Sequence, residues 1–263
     1  MLFARTPRLR SRGVFVCLWF AVAGFSGGAW AAGYCALETL PSHLKPATVT
    51  IASITDGDTV RLKDGRRVRL IGVNAPEMNP PQPYALDAKR AVEAFIPKGS
   101  RATLVLDREK RDNHGRVLGH IFNARGESLE AHLLTQGLAW HVAVPPNLSL
   151  VDCLADAQHR ARTQQLALWR TDAVSSKALR KGGFQRVQGR VEKITFSKAW
   201  WINFEGGLAA VIYPEHQHRF KKSEVARLQG DRIEVQGWVY GATGPKPWRM
   251  KLETPHGMAR PDP

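Results

Sequence analysis

The segment TDGDTVRL places Asp56 and Asp58 two positions apart. Carboxylates that close repel each other, and a hard cation such as Ca2+ or Mg2+ relieves the repulsion. Turn chemistry around Gly57 accounts for a lone Asp-Gly-Asp at least as simply. Further along, RLIGVNAPE reads as a short buried strand, with Leu70, Ile71 and Val73 inward, that stops at Asn74, Ala75 and Pro76. Arg69 and Glu77 bracket it, and burying either charge is costly without a partner. Arg116 follows the glycine turn of DNHGRVLGHIF, so its guanidinium emerges from the end of a strand. Taken singly, each feature fits an ordinary surface.

The elements that must position these residues are mostly strands. From residue 48 apolar residues alternate at near period two: Val49, Ile51, Val60, Leu62, Val68 and Leu70, with KDG as a hairpin turn. RATLVLDREKRDNHGRVLGHIFNARG continues in the same style, which gives about five strands over 48–125. One helix interrupts them, YALDAKRAVEAFI, with Leu86, Ala91, Val92 and Phe95 expected on one inward face. Two more helices follow. Leu129, Leu133 and Leu134 are expected to face inward on the first; the second carries Val151, Leu154, Ala161 and Leu168, with Ser149 as its N-cap. Strands first and helices later point to a small twisted barrel capped by helices.

Residues 171–183 lose the apolar periodicity and read as a linker. Beyond them five more strands appear over 184–256, with the helix KSEVARLQ after the third. That order is the one found in oligonucleotide/oligosaccharide-binding barrels. Residues 172–263 hold sixteen Lys and Arg against nine Asp and Glu, a net charge of +7. Trp200, Trp201, Phe204, Trp238, Tyr240 and Trp248 interleave with Arg190, Lys193, Lys198 and Arg249. Such a pattern suits bases stacked beside a phosphate track, although a small barrel also fills its core with alternate aromatics. Within the WW pair, one ring is expected to be exposed or to sit between domains.

The chain of 263 residues starts with a basic head of Arg5, Arg8, Arg10 and Arg12, an apolar stretch too short to span a bilayer, and Ala29 and Ala31 in an A-x-A arrangement. This predicts a signal peptide over 1–31, cleavage near Ala31, and a periplasmic or secreted protein. An uncleaved anchor is the alternative. Loss of the leader lowers the net charge from +15 to +11, an excess that suits a polyanion: nucleic acid, or an anionic wall or lipid surface. Of three cysteines, Cys17 leaves with the leader, and Cys35 and Cys153 are expected to form a disulfide. Closing that loop contributes about 4–5 kcal/mol in the chain-entropy model. The histidines, including His216 and His218, are scattered, and no zinc site is expected.

In order and spacing, DGDT, Arg69, Asn74, APE, DNHGR, LLTQGLA and a long final helix ending in Trp resemble the staphylococcal (thermo)nuclease family. The resemblance covers about 48–170. It implies a mainly β fold with α: a five-stranded barrel of the oligonucleotide-binding type capped by three helices, here followed by a second small barrel. The expected division is a leader (1–31), an N-terminal segment (32–47), a nuclease-like domain (48–170), a linker (171–183), a second barrel (184–256) and a tail (257–263). The implied activity is Ca2+-dependent hydrolysis of phosphodiester bonds in DNA and RNA, leaving 3′-phosphate ends, with Mg2+ as the second candidate metal.

Carried over by position, Asp58 and Asn74 would ligate the metal, Ala75 would offer its carbonyl, and Asp56 would stand behind it. Glu77 would orient or deprotonate the attacking water, while Arg69 and Arg116 would grip the phosphate. Asn74 departs from the family's acid, which keeps an oxygen donor and removes one negative charge. Tyrosines expected near a bound nucleotide are missing, so His114, Trp140 and His141 are the substitutes considered for substrate binding. A monomer is expected. The rival reading is a nucleic-acid-binding protein of weak or lost activity, and only Asn74 favours it.

Overall fold

The computed structural model describes Met1 and residues 35–260. The leader read from residues 1–31 lies, apart from Met1, outside the described residues. Among those described, no helix is long and apolar enough to cross a membrane.

The first barrel is closed by β1 (Pro46–Ile54), β2 (Thr59–Leu62), β3 (Arg67–Leu70), β5 (Arg101–Val105) and β6 (Val117–Phe122), in the order β1-β2-β3-β6-β5. The register of β1 shifts between Ile51 and Ser53, which lets this strand bend from β5 on one side to β2 on the other. Ile51, Val60, Leu62, Val68, Leu70, Leu104 and Ile121 fill the interior as the period-two pattern required. A two-stranded ladder lies beside the barrel, made of β4 (Val73–Asn74) and β7 (Trp140–His141).

The helices cap this barrel, and two depart in detail from the sequence reading. In α1 (Ala85–Phe95) the buried residues are Ala85, Ala88 and Val92, while Leu86 is exposed. The helix leans on the barrel through its small residues, which turns Leu86 to solvent. In α2 (Leu129–Thr135) Leu129, Leu133 and Leu134 are buried as expected, and Ser128 caps the helix by accepting from the Ala131 N–H at 3.1 Å. α3 (Val151–Thr163) is not capped by Ser149, whose hydroxyl donates instead to Asp107 Oδ1 at 2.9 Å. The Cys35–Cys153 disulfide fastens the N-terminal segment to α3, with the Cα atoms 5.6 Å apart.

Residues 171–183 are laid onto the second barrel: β8 (Val174–Ser175) pairs in parallel with β9 (Gly183–Phe196), and Leu179 enters the second core. β10 (Trp200–Phe204), β11 (Leu208–Ile212), the short α4 (Lys222–Ala226), β12 (Arg232–Gly241) and β13 (Trp248–Lys251) follow in the expected order. Pairing of β9 with both β10 and β12 closes the ring, and β14 (Met258–Ala259) extends it beside β12. Neither tryptophan of the WW pair is exposed. Trp200 packs against the core edge-on to Phe196, and Trp201 lies under the Arg249 guanidinium at 5.1 Å.

The two barrels meet along α3, β7, β9 and β12. Glu234, 4% exposed, takes bonds from Arg162 Nη1 and Arg186 Nε, each at 3.0 Å. The Arg186 guanidinium stacks over Trp169 at 4.2 Å. Trp140, Phe184 and Trp238 continue the seam as rings with centroids 5.1 Å apart in each step.

A candidate catalytic and metal site at the end of the first barrel

Gly57 is required by its neighbours. A Cβ there would come within 2.6 Å of the Ala75 Cβ and 2.8 Å of the Ala88 Cβ. The β1–β2 turn therefore presses onto Ala75 and α1, and this brings Asp58 against the segment that follows β4. Asp58 Oδ2 accepts from the Ala75 N–H at 2.9 Å, and Oδ1 accepts from Thr59 Oγ1 at 3.1 Å. Asp56 Oδ1 accepts from the Asp58 N–H at 3.0 Å, which turns one oxygen of Asp56 to the backbone.

The chain reverses after β3 at Gly72, whose φ of 81° suits glycine and where a Cβ would lie 2.4 Å from Leu154 Cδ1. Arg69 folds around that reversal. Its Nη1 donates to the carbonyls of Leu70 at 3.0 Å and Val73 at 2.8 Å. Its Nη2 lies 3.0 Å from Asp58 Oδ2 and 3.3 Å from Asn74 Oδ1. The arginine expected to grip a phosphate thus also supplies the counter-charge for the buried Asp58 and touches two of the expected metal donors.

Burial pushes the Asp58 carboxyl up to about 6, against the opposing pull of Arg69 and with a further push from Asp56. The folded chain then holds this proton more tightly than the unfolded chain, where the ordinary value is 3.8. With the folded value raised, Asp58's own contribution to metal-free stability falls as pH rises from about 4 to about 6 and is level above that. Asp58→Asn has no such loss. In chelator, the variant is expected to gain on the native chain by about 1–3 kcal/mol between pH 4 and pH 7. Melting curves at both pH values check this, and a pH-independent difference would remove Asp58 as the cause.

Val68 and Val117 are buried partners in the parallel β3–β6 ladder, so Arg69 and Arg116 lie on the outer face of neighbouring strands. Arg116 is held by its Nε, 2.7 Å from Asp112 Oδ2, and its Nη groups have no partner among the described residues. Burial raises Asp112, but the bonds from Arg116 and the local backbone outweigh it and hold the carboxyl below its ordinary value. Glu77 is exposed just beyond Asn74. A loop closed by Gln82 holds its backbone, with Gln82 Oε1 accepting from the Glu77 N–H at 3.0 Å.

The structure thus brings Asp58, Arg69, Asn74 and Ala75 into contact, with Asp56 adjoining and Arg116 on the same face. It places the three substitutes for substrate binding differently. His114 is exposed in the turn before Arg116, its N–H bonded to Asp112 Oδ1 at 3.0 Å. Trp140 and His141 face the seam between the barrels, packed on Phe184 and near His256.

Sequence reading passed over Asp112, Gln82 and Thr59. Asp112 was legible, since a carboxylate four residues before Arg116 across a tight turn is well placed to hold it.

The oxygen set fits a hard cation of modest affinity. Asp58 and Asn74 are both buried, and the Arg69 guanidinium shows that their oxygens already converge on one positive charge. Among the described residues no group of three or more His, Cys, Asp or Glu could hold a metal ion, so the donors at this barrel end are the Asp58 carboxylate with amide and backbone oxygens.

Residues 67–171 match the sequence model of the family described as Staphylococcal nuclease homologue. The match begins at β3, after Asp56 and Asp58, and stops before the second barrel. The chain is 35% identical over 126 residues to the thermonuclease of Staphylococcus intermedius, covering 45% of this chain and 74% of that protein. It is 27% identical over 122 residues to an uncharacterized endonuclease of Escherichia coli, covering 45% and 74%. It is also 29% identical over 143 residues to the succinoglycan biosynthesis protein ExoI of Rhizobium meliloti, covering 51% and 71%. From the closed barrel and these similarities together, the chain belongs to the staphylococcal nuclease family of phosphodiester hydrolases.

Proposed function

We propose that the chain is an exported, Ca2+-dependent nuclease that hydrolyses phosphodiester bonds of DNA and RNA and leaves 3′-phosphate ends. The observation that carries this reading is the convergence of Asp58, Asn74 and Arg69 at one barrel end, with Arg116 on the same face and its Nη groups without a partner among the described residues. Asp58, Asn74 and the Ala75 carbonyl would hold calcium, with Asp56 behind them; Mg2+ is the second candidate. Bound there, the cation supplies charge that neutralises a non-bridging phosphate oxygen. Arg116 donates from its Nη groups to the remaining oxygens, and these bonds strengthen as charge builds in the transition state. Arg69 keeps Nη1 on the Leu70 and Val73 carbonyls and Nη2 on Asp58 and Asn74, which leaves its Nε, without a partner among the described residues, as the donor for the same anion. Glu77, exposed and free of side-chain partners among the described residues, orients or deprotonates the attacking water.

Export rests on the basic and apolar leader pattern and on the disulfide, which suits an oxidising compartment. The test is cleavage of single-stranded DNA and of RNA in Ca2+, Mg2+ or chelator. Turnover with metal, its loss in chelator and 3′-phosphorylated products are expected. Absence of turnover in every metal would favour the binding-protein reading instead. Asn74→Asp restores a negative ligand and is expected to tighten calcium binding about tenfold or more, read by calorimetry. Unchanged affinity would place the cation elsewhere.

A further inference from the structure

Glu234, Gln236, Trp238 and Tyr240 alternate along one outward face of β12. The first two close the seam: Glu234 binds Arg162 and Arg186, and Gln236 Nε2 donates to the His141 carbonyl and to Gln158 Oε1. The same face then runs on into solvent, where Trp238 is 48% and Tyr240 39% exposed. Between these rings and residues 141–144 of the first barrel a cleft of about 260 Å³ opens. That is below the roughly 300–1,000 Å³ of sites that enclose a whole ligand, and it suits a planar ring inserted from a longer chain.

His141 lines this cleft and is 3% exposed. Burial, with a smaller push from His256, lowers it to about 3, so the ring is neutral. Its Nδ1 lies 3.3 Å from the Gly72 carbonyl and carries the proton, which leaves Nε2 as a buried acceptor without a partner among the described residues. An unpaired buried acceptor is costly, and a base whose entry uncovers the ring would satisfy it with an exocyclic amine or imino N–H. Phe184 meets Trp238 edge-on and fixes its ring. Lys251 stands at the cleft, and Arg249 is the cross-strand neighbour of Tyr240. The net charge of +7 over residues 172–263 suits a polyanion. The cleft also adjoins the candidate site, because His141 pairs with Val73, and Trp140 with Asn74, in the β4–β7 ladder.

We propose that this cleft is a nucleobase subsite: a single-stranded nucleic-acid substrate inserts one base against Trp238, and Tyr240, Arg249 and Lys251 carry the strand onward over the second barrel. This rests on the nuclease reading for its ligand class, and the test separates the two. Binding of a labelled oligothymidylate to the full chain is measured in chelator, beside an abasic strand of equal length. In parallel, kcat/KM is measured with calcium on that oligonucleotide and on a dinucleotide. Trp238→Ala and Tyr240→Ala are each expected to weaken oligothymidylate binding about tenfold. Abasic-strand binding and dinucleotide cleavage should hold, and Trp238→Phe should recover most of the affinity. Equal weakening on the abasic strand, or unchanged binding by both alanine variants, would overturn the subsite and leave the nuclease reading standing. Failure of the native chain to cut either substrate would sink the nuclease reading, while the binding measurements still decide the subsite.

Discussion

Glu77→Gln and Arg116→Ala are each expected to reduce phosphodiester cleavage by about 10²–10⁴-fold, with melting temperatures close to the native value. The Glu77 carboxylate is exposed and has no side-chain partner among the described residues, so an amide of the same shape removes only its proton-accepting and orienting capacity. Arg116 is anchored through Nε to Asp112, and its Nη groups have no partner among the described residues. Truncating it frees an exposed turn from one ion pair and leaves the barrel ladder at Val117 in place. Arg116→Lys keeps the charge without the fork and should fall between the two. Arg69→Ala is a poorer probe of the same chemistry. It also strips the buried Asp58 of its counter-charge and frees two carbonyls, so activity, metal affinity and stability would move together. Native kcat/KM in both Glu77→Gln and Arg116→Ala would remove these residues from the mechanism.

Much of this architecture was legible because strand periodicity reports which side of a sheet a residue faces. Ile51, Val60, Leu62, Val68 and Leu70 alternate, and all are buried. The second barrel was legible in the same way, down to the helix after its third strand. Periodicity does not report which distant group a side chain meets. Leu86 lay on a plausible apolar stripe, yet Ala85 and Ala88 let α1 approach the barrel and turned it outward. Ser149 had the chemistry of a cap, yet Asp107, 42 residues earlier, offered a stronger acceptor. The family resemblance assigned Arg69 to a phosphate; its hold on Asp58 and Asn74 was not legible, because it depends on the turn at Gly57, which packing against Ala75 and Ala88 imposes. The seam was the least legible part, since Glu234 meets Arg186 and Arg162 from 48 and 72 residues away.

That seam carries the second large expectation. Glu234→Gln is expected to destabilise the chain by about 3–5 kcal/mol. The carboxylate is 4% exposed and is shared by two guanidinium groups, through Oε1 at 3.0 Å to each and Oε2 at 3.1 Å to Arg186 Nη2 and 3.4 Å to Arg162 Nη2. Glutamine keeps the shape but removes the negative charge that Arg162 and Arg186 share, and its amide group turns two donors toward their donors. Trp169 covers Arg186 at 4.2 Å and Arg162 at 5.4 Å, so water cannot readily take the place of the lost anion. Replacing Glu234, Arg162 and Arg186 together with apolar residues of similar volume should cost far less, because no charge is then left buried alone. The triad joins α3 of the first barrel to β9 and β12 of the second, so the single variant should also loosen the neighbouring cleft. Oligonucleotide affinity is then expected to fall while dinucleotide cleavage persists, and cuts by a protease within residues 171–183 should quicken. A native melting temperature in Glu234→Gln would mean that the seam is held without this charge, by its aromatic ladder and the Gln236 bonds.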